Sequence, residues 1–298
     1  MPYINPGDAN GVLEKLLDEK AGALEKTLDA DVLTICAPIW DGLEEFVRTC
    51  IESIDPRRER LAVVLETGGG LIEVVDRIVQ TLRHHYPKHV EFIVPNFAMS
   101  AGTVLAMSGD AILMDYFSVL GPIDPQVESR TSRRLIPARG YLDEYEKLVK
   151  KSADGTMTNA ELAFFVQKFD PAELYAFQHA VDLSISLLKE WLTKYKFKNW
   201  TQTQERRLDV TPEMRAERAV EVAKKLGDVE MWHSHGRGIP MAALRSLVNV
   251  QIDDFGAKEP LNANITDYYG LLTDFQRKNG HGGMVHVRGT MIPMEQIK

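Results

Sequence analysis

Short apolar runs alternate with amphipathic stretches between Asp31 and Asp115, and this alternation restricts the possible folds more than any other feature of the sequence. The apolar runs are VLTICA, RLAVVLET, VEFIVP and AILMD. The stretches between them, such as 41–54 and 72–82, place apolar residues at helical spacing. Strands covered on both faces have continuous apolar sequences, and strands that alternate with helices form right-handed βαβ units. The sequence therefore predicts an α/β fold, with a largely parallel sheet and helices that flank both of its faces.

Composition and charge exclude several classes of protein. The chain has 298 residues, 44% of them hydrophobic, and its 35 Lys and Arg against 43 Asp and Glu give a net charge of −8. An acidic chain binds phosphate backbones poorly, so no nucleic-acid partner is expected. Cys36 and Cys50 are too few for a disulfide framework or a zinc site, and we expect no metal and no cofactor. With no run of about 18 apolar residues and no signal-peptide pattern, we expect a cytoplasmic protein without a membrane span.

The sequence pattern divides the chain into three parts. Residues 1–30 carry leucines at helical spacing ahead of the first strand, which predicts an amphipathic helical appendage or a subunit contact. Residues 31–260 form the main domain, in which helices are predicted after Val127, and residues 261–298 are predicted to be a polar, glycine-containing tail. The apolar faces of 13–28 and 170–195 exceed what one small sheet needs, so we also predict a homo-oligomer.

The segments TGGG (67–70) and PNFAMSAGT (95–103) carry the residues best suited to chemistry. Ser100 follows a predicted strand and stands at the first turn of a helix of small residues, where backbone amides lack partners. The glycine run after the preceding strand can present further amides toward the same point. One amide from each side would give a serine nucleophile an oxyanion hole. A second interpretation stays open, in which Ser100 only caps the helix and the glycines form a tight turn.

Three segments in this order, TGGG, AMSAGT and LGPIDPQ, resemble the Clp protease/crotonase superfamily. Within it, the chain is similar to the serine dehydrogenase proteinases, which are relatives of signal peptide peptidase A, and WHSHGRGIP (232–240) resembles a later segment of these proteins. The resemblance implies a ββα spiral core, Ser100 as the nucleophile, and an oxyanion hole formed by the amides of Gly69, Gly70 and Ala101. It also implies a peptidase that is often oligomeric. Many members carry an N-terminal membrane anchor, which we do not expect here.

A serine nucleophile needs a base that takes its proton, and the sequence offers more than one for Ser100. Clp-type proteases use a histidine that would fall near Pro122, and no histidine lies between His89 and His179. One replacement is a Ser–Lys dyad as in signal peptide peptidases, whose lysine precedes a long C-terminal helix. Lys168 fits this position best because it lies just before the helix predicted from Asp170, and apolar residues flank it. Lys147, Lys150 and Lys151 are its rivals. A lysine base must be desolvated, since the pKa of free lysine is about 10.4.

The other replacement is a triad in the order Ser, Asp, His, which the resemblance places at Ser100, Asp124 and His235. Asp124 is equally suited to a turn between two prolines, and His235 to a hydrogen bond within a loop. Three functions follow as hypotheses. The first is a serine peptidase that cleaves peptides or unfolded protein segments. The second is a crotonase-like acyl-CoA enzyme that uses the same oxyanion hole, and the third is a catalytically inactive assembly protein of the same fold.

Overall fold

The structure is a computed structural model that describes residues 9–123, 126–128, 135–203, 207–234 and 236–295. Its strands are β1 (Asp31–Cys36), β2 (Arg60–Glu66), β3 (His89–Ile93), β4 (Phe97–Ala98), β5 (Ala111–Met114), β6 (Val119–Leu120), β7 (Gln126–Glu128), β8 (Leu135–Pro137), β9 (Ile239–Pro240), β10 (Asp253–Asp254), β11 (Gly283–Val287) and β12 (Thr290–Met294). Its helices are α1 (Ala9–Leu28), α2 (Leu43–Glu52), α3 (Ile72–His85), α4 (Ala101–Met107), α5 (Ala138–Ala153), α6 (Asn159–Lys168), α7 (Pro171–Trp191), α8 (Pro212–Leu226), α9 (Val229–Trp232), α10 (Met241–Ala243) and α11 (Leu261–Lys278). Two π-helical turns, Leu192–Lys196 and Leu244–Val248, follow α7 and α10.

Within the described residues, the main sheet has seven strands in the order β10-β5-β3-β2-β1-β11-β12. The strands from β10 to β1 run parallel, whereas β11 pairs antiparallel with both β1 and β12. Every residue of β1 is buried, as expected for a strand covered on both faces. The predicted α/β fold with a largely parallel sheet is confirmed.

Helices cover the two faces of this sheet unequally. Leu33 and Ile35 of β1 face a large core formed with α2, α3, α4, α7 and α8. Val32 and Cys36 face a smaller core formed with α1 and α11. Successive side chains of a strand point to opposite faces, so one short apolar run supplies both cores.

The first and last described elements, α1 and the segment from α11 to β12, pack against the main sheet or join it. Leu17, Ala21 and Leu24 of α1 are fully buried and lie in the core shared with α11. The C-terminal segment forms α11 and the β11–β12 hairpin, and β11 lies beside β1 within the sheet. Gly289, with φ 86°, makes the turn between the two hairpin strands. Most of the leucine stripe of 13–28 therefore packs within the protomer, although Leu16 is 37% exposed.

A second, three-stranded sheet lies beside the carboxyl end of β2 and has the order β4-β6-β9. β4 runs parallel to β6, and β6 pairs antiparallel with β9 through Leu120 and Ile239. Thr67, which directly follows β2, forms a bridge with Ala98 of β4. This bridge connects the small sheet to the main sheet at the glycine turn.

The helical region after β8 includes a helix, α6, whose apolar side chains are exposed. α6 has no buried residue, and the exposed fractions of its Leu162, Phe164 and Val166 are 49%, 50% and 72%. Phe177 and Val181 of α7 are instead buried inside the protomer. Among the described residues, α6 thus exposes an apolar patch, whereas the face predicted for 170–195 is partly buried within the protomer. Over the described part of the chain, no helix combines the length and apolar character needed to cross a membrane.

Candidate active site

Ser100 joins β4 to α4 in a backbone conformation that few residues other than glycine adopt. Its φ is 51° and its ψ is −118°, and a conformation of this kind costs about 1–3 kcal/mol, which surrounding contacts must offset. The hydroxyl makes no capping hydrogen bond, although capping is the usual role of serine at this position. The Ser100 carbonyl oxygen accepts hydrogen bonds from the amides of Thr103 (2.9 Å) and Val104 (3.4 Å). The helix-capping interpretation therefore does not account for the Ser100 side chain.

Two glycines approach the Ser100 turn so closely that no side chain fits in their place. A methyl group on Gly69, whose φ is 95°, would lie 2.7 Å from the Met99 carbonyl oxygen and 2.9 Å from the Ser100 Cβ. A methyl group on Gly121 would lie 2.8 Å from both the Met99 Cα and the Ser100 amide nitrogen. The predicted juxtaposition of Ser100 and the glycine turn is present. Gly121 was not predicted, although it stands in the LGPIDPQ segment.

The three predicted oxyanion-hole amides differ in their partners. The Gly69 amide donates to the Thr67 hydroxyl (3.1 Å), and the Gly69 carbonyl accepts from the Ile39 amide (2.9 Å). Among the described residues, nothing accepts a hydrogen bond from the amides of Gly70 or Ala101. Gly70 is exposed, and Ala101 is the first residue of α4, where helical amides lack intrahelical partners. Gly69 thus shapes the turn, whereas the amides of Gly70 and Ala101 have no acceptor among the described residues.

The buried hydroxyl of Thr103 ties the elements of the site together. Its Oγ1 lies 2.8 Å from the carbonyl oxygens of both Ala98 and Gly121 and accepts a hydrogen bond from the Gly121 amide (2.9 Å). The single hydroxyl proton is donated to one carbonyl at a time. Thr103 therefore fastens α4 to β4 and to the segment after β6, on either side of Ser100. The sequence signalled it only as part of AMSAGT.

Lys168 is exposed in this structure. It is the last residue of α6, and its backbone carbonyl accepts a hydrogen bond from the Tyr141 hydroxyl (3.1 Å). Its neighbour Val166 is 72% exposed, so the apolar residues around Lys168 in the sequence do not shield its amine from water. The desolvation that a lysine base needs is not provided by α6.

Asp124 and His235 lie outside the described residues, but the segments next to them are described. Residues 119–123 precede Asp124, and residues 236–240 follow His235. β6 and β9 in these segments are paired, and Gly121, just beyond β6, contacts the Ser100 turn. Gly121 therefore lies beside the Ser100 turn three positions before Asp124, and β9 begins four positions after His235.

The rival lysines lie on α5, which borders a cavity of about 710 Å³ between α5, α7 and α8. Lys147 and Lys150 line this cavity, as does Ile123, whose amide donates to the Leu226 carbonyl (3.1 Å). Lys151 instead pairs with Glu161 (2.6 Å), which raises the pKa of the lysine and makes it a weaker candidate for a base. Ser100 itself does not line the cavity, which begins two residues beyond Gly121.

Two proteins of Methanocaldococcus jannaschii are similar to part of this chain, and both carry the description "uncharacterized protein" (MJ0137 and MJ1495). The first is 33% identical over 108 residues, which make up 36% of this chain and 36% of that protein. The second is 30% identical over 120 residues, which make up 40% of this chain and 38% of that protein. The chain thus matches little more than a third of the length of these relatives.

Among solved structures, a mutant of the 1510-N membrane-bound stomatin-specific protease in complex with a substrate peptide is similar over 89% of this chain and 87% of that chain. The identity is 15% and the TM-score is 0.45. A second mutant of that protease matches 63% of this chain and 75% of its own, with 16% identity and a TM-score of 0.37.

The family model for ClpP-like SDH-type serine proteinases matches residues 39–203. This range is more than half of the chain and includes the glycine turn, Ser100 and the segment after β6. The chain belongs to the family of ClpP-like SDH-type serine proteinases.

Proposed function

We propose that this chain is a serine peptidase that cleaves peptides or unfolded protein segments with Ser100 as its nucleophile. The observation that carries this proposal is the Ser100 turn itself. Ser100 has a strained conformation and a hydroxyl that makes no capping bond, and Gly69 packs so closely against it that a methyl group on Gly69 would lie 2.9 Å from the Ser100 Cβ. Strain of this kind persists at sites where function requires the geometry.

In the proposed reaction, the Ser100 oxygen attacks the carbonyl carbon of the peptide bond while a base takes the hydroxyl proton. The negative charge moves to the substrate oxygen, where the amides of Gly70 and Ala101 stabilise it. One such donor is worth about 2.7–4 kcal/mol in a preorganised site. Collapse of the intermediate breaks the carbon–nitrogen bond, and the base returns the proton to the leaving amine. Water then hydrolyses the ester on Ser100.

The base is proposed to be either His235, oriented by Asp124, or Lys168. The described neighbours of this pair support His235, because β9, which begins four residues after it, pairs with β6, and Gly121, just beyond β6, packs against the Ser100 turn. The exposure of Lys168 argues against it in a single protomer. A lysine base would need cover from a second copy of the chain or from substrate.

A fluorophosphonate probe tests the nucleophile directly. We expect covalent labelling of Ser100 in the wild-type chain, with loss of both labelling and peptide hydrolysis in Ser100→Ala. Thermal stability should be almost unchanged in this variant, because the hydroxyl makes no capping bond that alanine would remove. An unlabelled wild-type protein would refute the peptidase proposal. Activity that persists in Ser100→Ala would refute the assignment of the nucleophile.

The base is tested by Lys168→Met and His235→Gln, assayed across pH. If the base is a histidine, only His235→Gln should lose activity, and the wild-type rate should reach a plateau at about pH 7–7.5. A lysine base predicts loss in Lys168→Met only, with a rate that still rises past about pH 8. Full activity in both variants would exclude both assignments.

A further inference from the structure

Glu66, the last residue of β2, receives hydrogen bonds from three separate parts of the chain. The side-chain amide of Asn96 donates to its Oε2 (3.0 Å), and the Tyr269 hydroxyl donates to the same oxygen. The Cys36 thiol donates to its Oε1 (3.6 Å). The three donors are neutral groups that come from α11, from the end of β1 and from the segment between β3 and β4. One half-buried carboxylate therefore joins three elements at the carboxyl edge of the sheet.

The connections of Glu66 lead to both sides of the Ser100 turn. Thr67 follows Glu66 directly, and its hydroxyl holds the Gly69 amide. Asn96 lies at the start of the segment that ends in Ser100, and its carbonyl accepts a hydrogen bond from the Val119 amide (2.8 Å). The Glu66–Asn96 contact thus ties the strand before the glycine turn to the strand before the nucleophile.

The chemistry of the three donors suits a permanent structural contact. Burial and the hydrogen bond to Glu66 raise the pKa of the Tyr269 hydroxyl, and burial together with the nearby Glu66 charge raises the pKa of the Cys36 thiol. Both groups therefore stay protonated and can donate at neutral pH. Hydrogen bonds to an ionised acceptor are roughly twice as strong as bonds between neutral groups.

We propose that Glu66 is a positioning residue for Ser100, which acts through Asn96 and through its peptide link to Thr67. The inference rests on the proposed peptidase function. Its physical basis is the strain at Ser100, which persists only where the surrounding structure determines the backbone on every side. Glu66 supplies that constraint from the face of the sheet that α11 covers.

Three variants of the full chain test this role, with a fluorophosphonate probe and a short peptide substrate as readouts. Glu66→Leu removes the acceptor and keeps the approximate size of the side chain, whereas Glu66→Gln keeps an acceptor oxygen. The matched control is Glu91→Gln. Glu91 is another hydrogen-bonded carboxylate of the sheet, more buried than Glu66 and bonded to Arg60 and His89 at 3.1 Å, but it lies near the amino ends of the parallel strands.

We expect Glu66→Leu to slow Ser100 labelling and to lower kcat by roughly 10- to 100-fold, with KM changed less than about twofold, because small displacements of a reacting group cost rates of this order. Glu66→Gln should recover the rate to within about threefold, and Glu91→Gln should label at the wild-type rate while it lowers thermal stability. If Glu66→Leu does not fold, Asn96→Ala breaks the same contact from the other end and should slow labelling in the same way.

Wild-type labelling rates in folded Glu66→Leu or Asn96→Ala would overturn the role of Glu66 and leave the peptidase proposal intact. Equal rate losses in Glu66→Leu and Glu91→Gln would also overturn it, since they would show a general effect of stability. A wild-type chain that the probe does not label at Ser100 would overturn both proposals together.

Discussion

Gly69→Ala is the sharpest perturbation that the structure offers at the Ser100 turn. Gly69 has φ 95°, and for a residue with a Cβ this left-handed conformation costs about 1–2 kcal/mol. The added methyl group would lie 2.7 Å from the Met99 carbonyl oxygen, 2.9 Å from the Ser100 Cβ and 3.3 Å from the Ala101 amide nitrogen. Overpacking of this kind adds roughly 1–3 kcal/mol. We therefore expect the free energy of unfolding to fall by about 2–5 kcal/mol.

Part of this strain can be relieved only by movement of the Ser100 turn, because all three contacts belong to it. Fluorophosphonate labelling of Ser100 should slow on the order of 100-fold if the turn moves by about 1 Å. Thermal unfolding should show a fall of several degrees. The matched control is Gly68→Ala, since Gly68 is exposed and a methyl group there meets nothing within 4 Å. Wild-type labelling in Gly69→Ala, or equal damage in both variants, would refute the reasoning.

Three further predictions concern stability and assembly. Thr103→Val should lower the free energy of unfolding by about 1–3 kcal/mol, because the Gly121 carbonyl loses its donor, and urea unfolding measures this loss. Thr103→Ser keeps the hydroxyl and should leave the free energy of unfolding unchanged. Burial lowers the pKa of Lys196 from 10.5 to about 8, so the unfolded chain binds more protons between these pH values and stability rises across that window. Lys196→Met should abolish this rise and be more stable at pH 7, and an unchanged pH profile would contradict the prediction. Light scattering should show a homo-oligomer that Leu162→Glu with Val166→Glu dissociates, and a wild-type monomer at micromolar concentration would contradict it.

Local patterns in the sequence were sufficient to predict the parallel half of the main sheet and the position of Ser100. β2 is a continuous apolar run that ends at the glycines, and periodic stripes such as that of α3 mark the helices between the strands. The same pattern placed Ser100 after a strand and at the start of a helix, where it is found. These features depend on neighbours within a few residues, so a single sequence reveals them.

Contacts between distant residues decided the rest. β11 joins the sheet because Val285 and Val287 lie opposite Ile35 and Leu33, about 250 positions earlier in the chain, and no local pattern in the tail announces that partner. Leu17 and Leu24 of α1 likewise pack against α11, which is distant in the sequence. The Gly69 amide is taken by Thr67, and Lys168 stays in water despite apolar neighbours in sequence. Hydrogen-bond partners and exposure are properties of the packed chain, because they depend on which elements meet and at what distance.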